Sequence, residues 1–134
     1  MKQIKIQVDR EKNIIIATVI GSPSVDDYKK VIKEELDKCP PKLHVWDYAA
    51  ADLSVLFSQE LEEIMRFALS HPNTSIIEKV ALILTEDLSF GLGRMLEVFG
   101  EMQGKPFELE LFRNTEEAFQ WIGVEDIRKE DNKP

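Results

Sequence analysis

Lys79-Val80-Ala81-Leu82-Ile83-Leu84-Thr85-Glu86-Asp87-Leu88-Ser89-Phe90-Gly91-Leu92-Gly93-Arg94 is the stretch that decides the fold of this chain. Val80 to Leu84 is apolar at every position, the pattern of a strand buried on both faces. Thr85-Glu86-Asp87 interrupts it. A helix is then expected from about Ser89, burying Leu92, Met95, Leu96 and Phe99, until Gly104 and Pro106 end it. A buried strand feeding a helix is the building unit of open α/β sheets. Such sheets place their ligands in the crevice beyond the strand end, so a site is sought there first.

The flanking sequence repeats the unit. Ile4, Ile6 and Val8 alternate with polar residues, as in a half-exposed strand, and Asp9 to Asn13 is a polar turn leading into the apolar run Ile14 to Val19. These two segments are expected to pair as a hairpin. Gly21-Ser22-Pro23 ends the second strand, and Ser24 with Asp27 reads as a capping box for a helix whose inner stripe is Tyr28, Val31, Ile32 and Leu36. Leu43 to Tyr48 is a third strand, Ala49 to Phe57 a loop, and Leu61, Ile64, Met65 and Ala68 mark a second helix closed by His71-Pro72-Asn73. Phe107, Leu109 and Leu111 alternate with Glu108 and Glu110, as in an edge strand. Asn114 and Glu117 cap a last helix that carries Ala118, Trp121 and Ile122 and stops at Gly123. The expected architecture is a single α/β domain over residues 1–123, a mixed five-stranded sheet with amphipathic strands at its edges and helices packed on it. Residues 124–134 are read as a charged, frayed tail.

Composition narrows the function. With 134 residues the chain can bury a single core, and 43% hydrophobic with 31% charged residues is the balance of an ordinary folded protein. A net charge of −8 repels polyanions, so neither nucleic acid nor an integral membrane contact is expected. Lys29, Lys30 and Lys33 are interleaved with Glu34, Glu35 and Asp37 and read as a solvated helix face. The start lacks the apolar stretch of a signal peptide and Cys39 is the single cysteine, which together suit the cytoplasm. His44 and His71 do not stand at zinc-ligand spacing, so no metal or cofactor is expected.

Eight residues around the strand ends are candidates for binding a ligand: Trp46, Asp47, Tyr48, Asp87, Ser89, Gly91, Gly93 and Arg94. Gly91-x-Gly93 at a helix start would present backbone N–H groups to an anion, with Arg94 supplying charge. The third glycine of a dinucleotide fingerprint would fall at Leu96 and is absent. The plainer reading is that the glycines let the helix pack closely on the sheet while Arg94 pairs with Glu97 or Asp87. Asp47 would serve as a base or bind a ligand hydroxyl if Asp87 lay across the same crevice; otherwise it caps the backbone at Ala49 or Ala50. Trp46 and Tyr48 point away from Asp47 on a regular strand and read as core packing. Gly-x-Ser-x-Gly is absent, and no enzyme is expected.

Several of these segments together carry a resemblance. Gly21-Ser22-Pro23, Trp46-Asp47, Phe90-Gly91-Leu92-Gly93-Arg94-Met95, and Phe112-Arg113-Asn114 with Glu117-Ala118 and Trp121-Ile122 resemble the SpoIIAA-like proteins, small bacterial domains related to the STAS and SEC14 folds. The likeness runs from about Ile4 to Gly123. It implies the STAS/SEC14-like fold and a regulatory or ligand-binding role. In STAS anti-sigma antagonists a phosphorylatable serine follows the third strand, and Ser54 stands nearest that place here, without the serine-glycine-leucine context.

Two functions are therefore carried forward. In one, the chain is a non-enzymatic interaction module, a homodimer or bound to a protein partner, with Leu53, Leu56 and Phe57 or the Leu92–Phe99 helix as its surface. In the other, it holds a small apolar or anionic ligand in the crevice bounded by Trp46–Ser54 and Asp87–Arg94.

Overall fold

The computed structural model describes residues 3–128. Strands β1 (Gln3–Asp9) and β2 (Ile14–Gly21) form the expected antiparallel hairpin, and β2, β3 (Leu43–Ala51), β4 (Lys79–Ile83) and β5 (Glu108–Phe112) follow in parallel, giving the order β1-β2-β3-β4-β5. The connecting helices are α1 (Val25–Asp37), α2 (Ser58–Ser70) with a 3-10 turn at Pro72–Ile76, and α3 (Asp87–Met102); α4 (Thr115–Ile122) follows the last strand. Because every parallel crossover steps to the next strand in the same direction and keeps the same hand, α1, α2 and α3 fall on one face of the sheet. Among the described residues, only α4 and residues 123–128 cover the other.

The register sorts the strand residues between these two layers. Ala17, Trp46 and Leu82 stand side by side and face α1 to α3, where Trp46 and Leu82 join a core with Val19, Tyr28, Leu36 and Met65. Ile16, Val45 and Ala81 stand side by side in alternate positions and pack against Ala118, Phe119 and Ile122 of α4. Helix starts follow the sequence. Ser24 accepts from the Asp27 N–H while Asp27 accepts from the Ser24 N–H, Asn114 accepts from the Glu117 N–H at 2.9 Å, and Gly123 takes the left-handed φ of 86° that ends α4.

Two expectations need correction. Met95 lies outside the core, 36% exposed, because α3 begins at Asp87 and turns Ser89, Gly93 and Gly100 inward. The segment after Gly123 is not frayed as far as it is described: Asp126 and Ile127 are buried and Arg128 is held by side-chain hydrogen bonds. Residues 129–134 lie outside the described residues.

Candidate functional site

The residues expected to share one crevice are divided between the two faces. Asp47 points toward α4, where its Oδ2 accepts from Arg128 Nη1 at 2.7 Å and its Oδ1 accepts from the Ala49 N–H at 2.9 Å. The cap foreseen at Ala49 is present, and the carboxylate is also an ion-pair partner. Arg128 further reaches Thr18 Oγ1 at 3.2 Å and pairs twice with Asp126, so the group closes on itself. Asp87, in contrast, lies in the first turn of α3 and accepts from Arg113 Nη1 at 2.7 Å. The arrangement therefore gives each carboxylate its own arginine and does not join the two as an acid–base pair.

Nor does the glycine pair form an anion cradle. Since α3 starts at Asp87, Gly91 and Gly93 lie in its second turn, where backbone N–H groups are already spent within the helix. Gly93 instead serves packing: a Cβ built there would overlap Leu84 Cδ1 and stand 3.2 Å from Leu111 Cδ2, so its lack of a side chain sets how closely α3 approaches β4 and β5. Around Gly91 there is open space. Arg94 is exposed, 3.9 Å from Glu97 and over the Phe90 ring, whose centroid also lies 4.3 Å from the Arg113 guanidinium. Ser89 is buried among the residues α3 turns inward.

The segment between β3 and α2 is mixed. Leu53 and Leu56 are buried, 6% and 9% exposed, and so cannot form the surface expected of them; they are apolar because they seal the space between β3, α2 and α3. Val55 and Phe57 are exposed, 54% and 70%. Ser54 is exposed in the turn, four residues before α2, with its hydroxyl donating to Asp52 Oδ1 at 2.5 Å. That bond and the one from the Ser54 N–H hold the Asp52 carboxyl below its ordinary range.

Trp46 and Tyr48 line an apolar pocket, partly open to the surface. It lies beneath α1 and α2 over the amino-terminal halves of the parallel strands, has a volume of about 120 Å³, and is walled by Val31, Ile32, Leu36, Ile64 and Met65 as well as these aromatics. Tyr28, Trp46 and Tyr48 run in series along it, with ring centroids 6.2 Å and 6.4 Å apart. His44 sits at the same wall, its Nε2 donating to the Pro41 carbonyl at 2.9 Å, and burial pushes its pKa down to about 4. Burial, with the Tyr28 hydroxyl beside it, pushes the Tyr48 phenol well above its ordinary value. The sequence signals for this space were the inner stripe of α1 and the alternation in β3; nothing in either indicated that the stripe would leave a void.

No protein-family model matches the chain, and no curated protein does. Solved structures do. An uncharacterized protein of the DUF3478 family with a SpoIIAA-like fold, from Shewanella loihica PV-4, superposes with a TM-score of 0.62 at 18% identity, covering 91% of this chain and 95% of that one. An anti-sigma factor antagonist from Mycobacterium paratuberculosis superposes with a TM-score of 0.57 at 13% identity, covering 92% and 96%. The chain thus has the SpoIIAA-like fold expected from its sequence.

Proposed function

We propose that this protein is a non-enzymatic regulatory module of the STAS type, which acts by associating with protein and pairs with a second copy of itself through the outward face of α3. The observation that carries this reading is a stripe on that helix: Leu88, Met95, Val98 and Met102 are 59%, 36%, 51% and 79% exposed, and Gly91 stands open among them. Positions 88, 91, 95, 98 and 102 follow the three-then-four spacing of a helix–helix seam, on the side of α3 away from the sheet.

The stripe is complementary to itself. In an antiparallel pair centred between Met95 and Val98, Met95 of one copy layers on Val98 of the other, and Met102 faces the space that Gly91 leaves open. Arg94 and Glu101 lie seven residues apart on one flank, so opposite charges meet across the twofold axis. Val55 and Phe57 add apolar surface in the segment whose Leu53 and Leu56 share a pocket with Leu92 and Leu96 of α3. Likeness in fold to an anti-sigma factor antagonist supports the broader reading of a module that works through protein contacts.

Sedimentation velocity of the wild type and of Met95→Glu/Val98→Glu tests the pairing. A dimer at micromolar concentration that becomes a folded monomer in the variant is expected. A wild-type monomer throughout, or a dimer indifferent to both charges, would overturn the assignment of this face.

A further inference from the structure

Tyr28 Oη is the one buried side-chain nitrogen or oxygen that finds no hydrogen-bond partner among the described residues. Its residue is 3% exposed, and its side chain borders both the 120 Å³ space under α1 and α2 and the smaller one beside it. A buried hydroxyl without a partner is unfavourable, and native structures hold few of them. Of the other polar groups of the wall, His44 Nε2 is engaged with the Pro41 carbonyl and Thr74 Oγ1 with the Ala68 carbonyl, Glu35 stands 3.7 Å from Lys38, and the Tyr48 hydroxyl lies beside that of Tyr28. Replacing this tyrosine by phenylalanine would leave the aromatic packing intact, so packing alone does not explain the hydroxyl.

We propose that this interior space is a binding site for a small uncharged molecule, an aromatic ring of about phenol size with one oxygen that accepts a hydrogen bond from Tyr28. Size sets the first limit, because cavities of roughly 150 Å³ lined by aliphatic and aromatic side chains admit benzene. Charge sets the second: the wall is apolar apart from a few polar groups, its one carboxylate, Glu35, already faces Lys38, and an ionised group among Trp46, Ile64 and Met65 would lose its hydration without replacement. The fully buried, unpartnered Tyr28 hydroxyl sets the third. Water fills such a space poorly, since it needs two to four polar partners and most of the wall is aliphatic or aromatic, with His44 and Thr74 already engaged. The site differs from a crevice beyond the carboxyl ends of the strands, lying instead inside the layer between sheet and helices.

Toluene and p-cresol, which share a ring and a methyl group and differ by one hydroxyl, are the probes. Each is titrated into the wild type and into Tyr28→Phe, with affinities read from the ¹H–¹³C shifts of the cavity-lining methyl groups of Val31, Ile32 and Met65. The ratio of toluene to p-cresol dissociation constants is expected to fall about tenfold in Tyr28→Phe, because the hydroxyl contacts only one of the two probes. Comparing ratios within each protein removes the different costs of taking the probes out of water. An unchanged ratio would overturn the proposal, as would failure of both probes to move those methyl groups at millimolar concentration. If Tyr28→Phe fails to fold, nuclear Overhauser contacts in the wild type decide: p-cresol protons near the Tyr28 ring support the site, and contacts elsewhere refute it.

Discussion

Arg128 Nη1 lies 2.7 Å from Asp47 Oδ2, joining residues 81 apart in sequence across the face of the sheet that α4 covers. The Arg128 side chain is 20% exposed and that of Asp47 10%, so most of the water that would otherwise solvate the pair is absent. Removing one partner strands the other. Arg128→Ala is expected to destabilise the fold by about 3 kcal/mol, whereas combining Asp47→Asn and Asp126→Asn with Arg128→Met recovers much of that loss by leaving neither buried carboxylate unpaired, a contrast that urea unfolding of the variants measures directly. Equal losses in both proteins would mean that the pair contributes through packing alone.

His44 supplies a pH dependence of known sign. Its pKa in the folded state is about 4, below the 6.5 of an exposed imidazole, so the unfolded chain binds the proton more readily. Stability from this group is fully present above pH 6.5 and is lost as pH falls from 6.5 towards 4, by about 3 kcal/mol over the whole window. Carboxylates titrate near the lower end, so the check is the difference between wild type and His44→Gln at pH 7, 5.5 and 4.5. That difference should shrink with acid.

Gly91 and Gly93 separate packing from propensity within one helix turn. Gly93→Ala drives a methyl into Leu84 and is expected to cost about 1 to 3 kcal/mol. Gly91→Ala meets open space in a helix interior and is expected to stabilise the isolated chain by about 0.5 to 1 kcal/mol. Thermal unfolding of dilute protein, where association is absent, gives both values.

Leu56 and Phe57 make a similar contrast in adjacent residues. Leu56→Ala empties a buried site and should cost about 2 to 4 kcal/mol, while Phe57→Ala, at 70% exposure, should change stability by less than about 0.5 kcal/mol. If Phe57→Ala alters the sedimentation coefficient without altering stability, it belongs to the associating surface.

The strands and caps were legible because local chemistry determines them. The alternation at Ile4, Ile6 and Val8 and the uniform run at Val80 to Leu84 each match one register of the sheet, and Ser24, Asn114 and Gly123 bind or bend the backbone beside them. Pairings between distant charges were not legible. Arg113 and Arg128 give no local sign that one will meet Asp87 and the other Asp47, since those contacts depend on where α3 and the last segment settle. Met95 reads as a core residue for a related reason: helical periodicity yields a stripe, but when leucine, methionine, valine and glycine surround the whole helix it does not say which side is inward. The inward side follows Gly93 and Gly100, where the helix comes closest to its neighbours. The void beside Tyr28 is a property of volumes summed over α1, α2 and three strands, which no single segment encodes.

Because all three crossover helices fall on one side of the sheet, the second layer depends wholly on chain that follows β5. As the ribosome releases this protein from its amino end, the strands and the helices on their first side emerge before α4, which packs on Ile14, Ile16, Val45, Ala81 and Ile83. Until α4 and Asp126 to Arg128 arrive, that surface is an oily plane open to chaperones and to neighbouring nascent chains. The latch at Asp47 thus closes only after the whole sheet has been made, and its closure covers the apolar plane of the second layer.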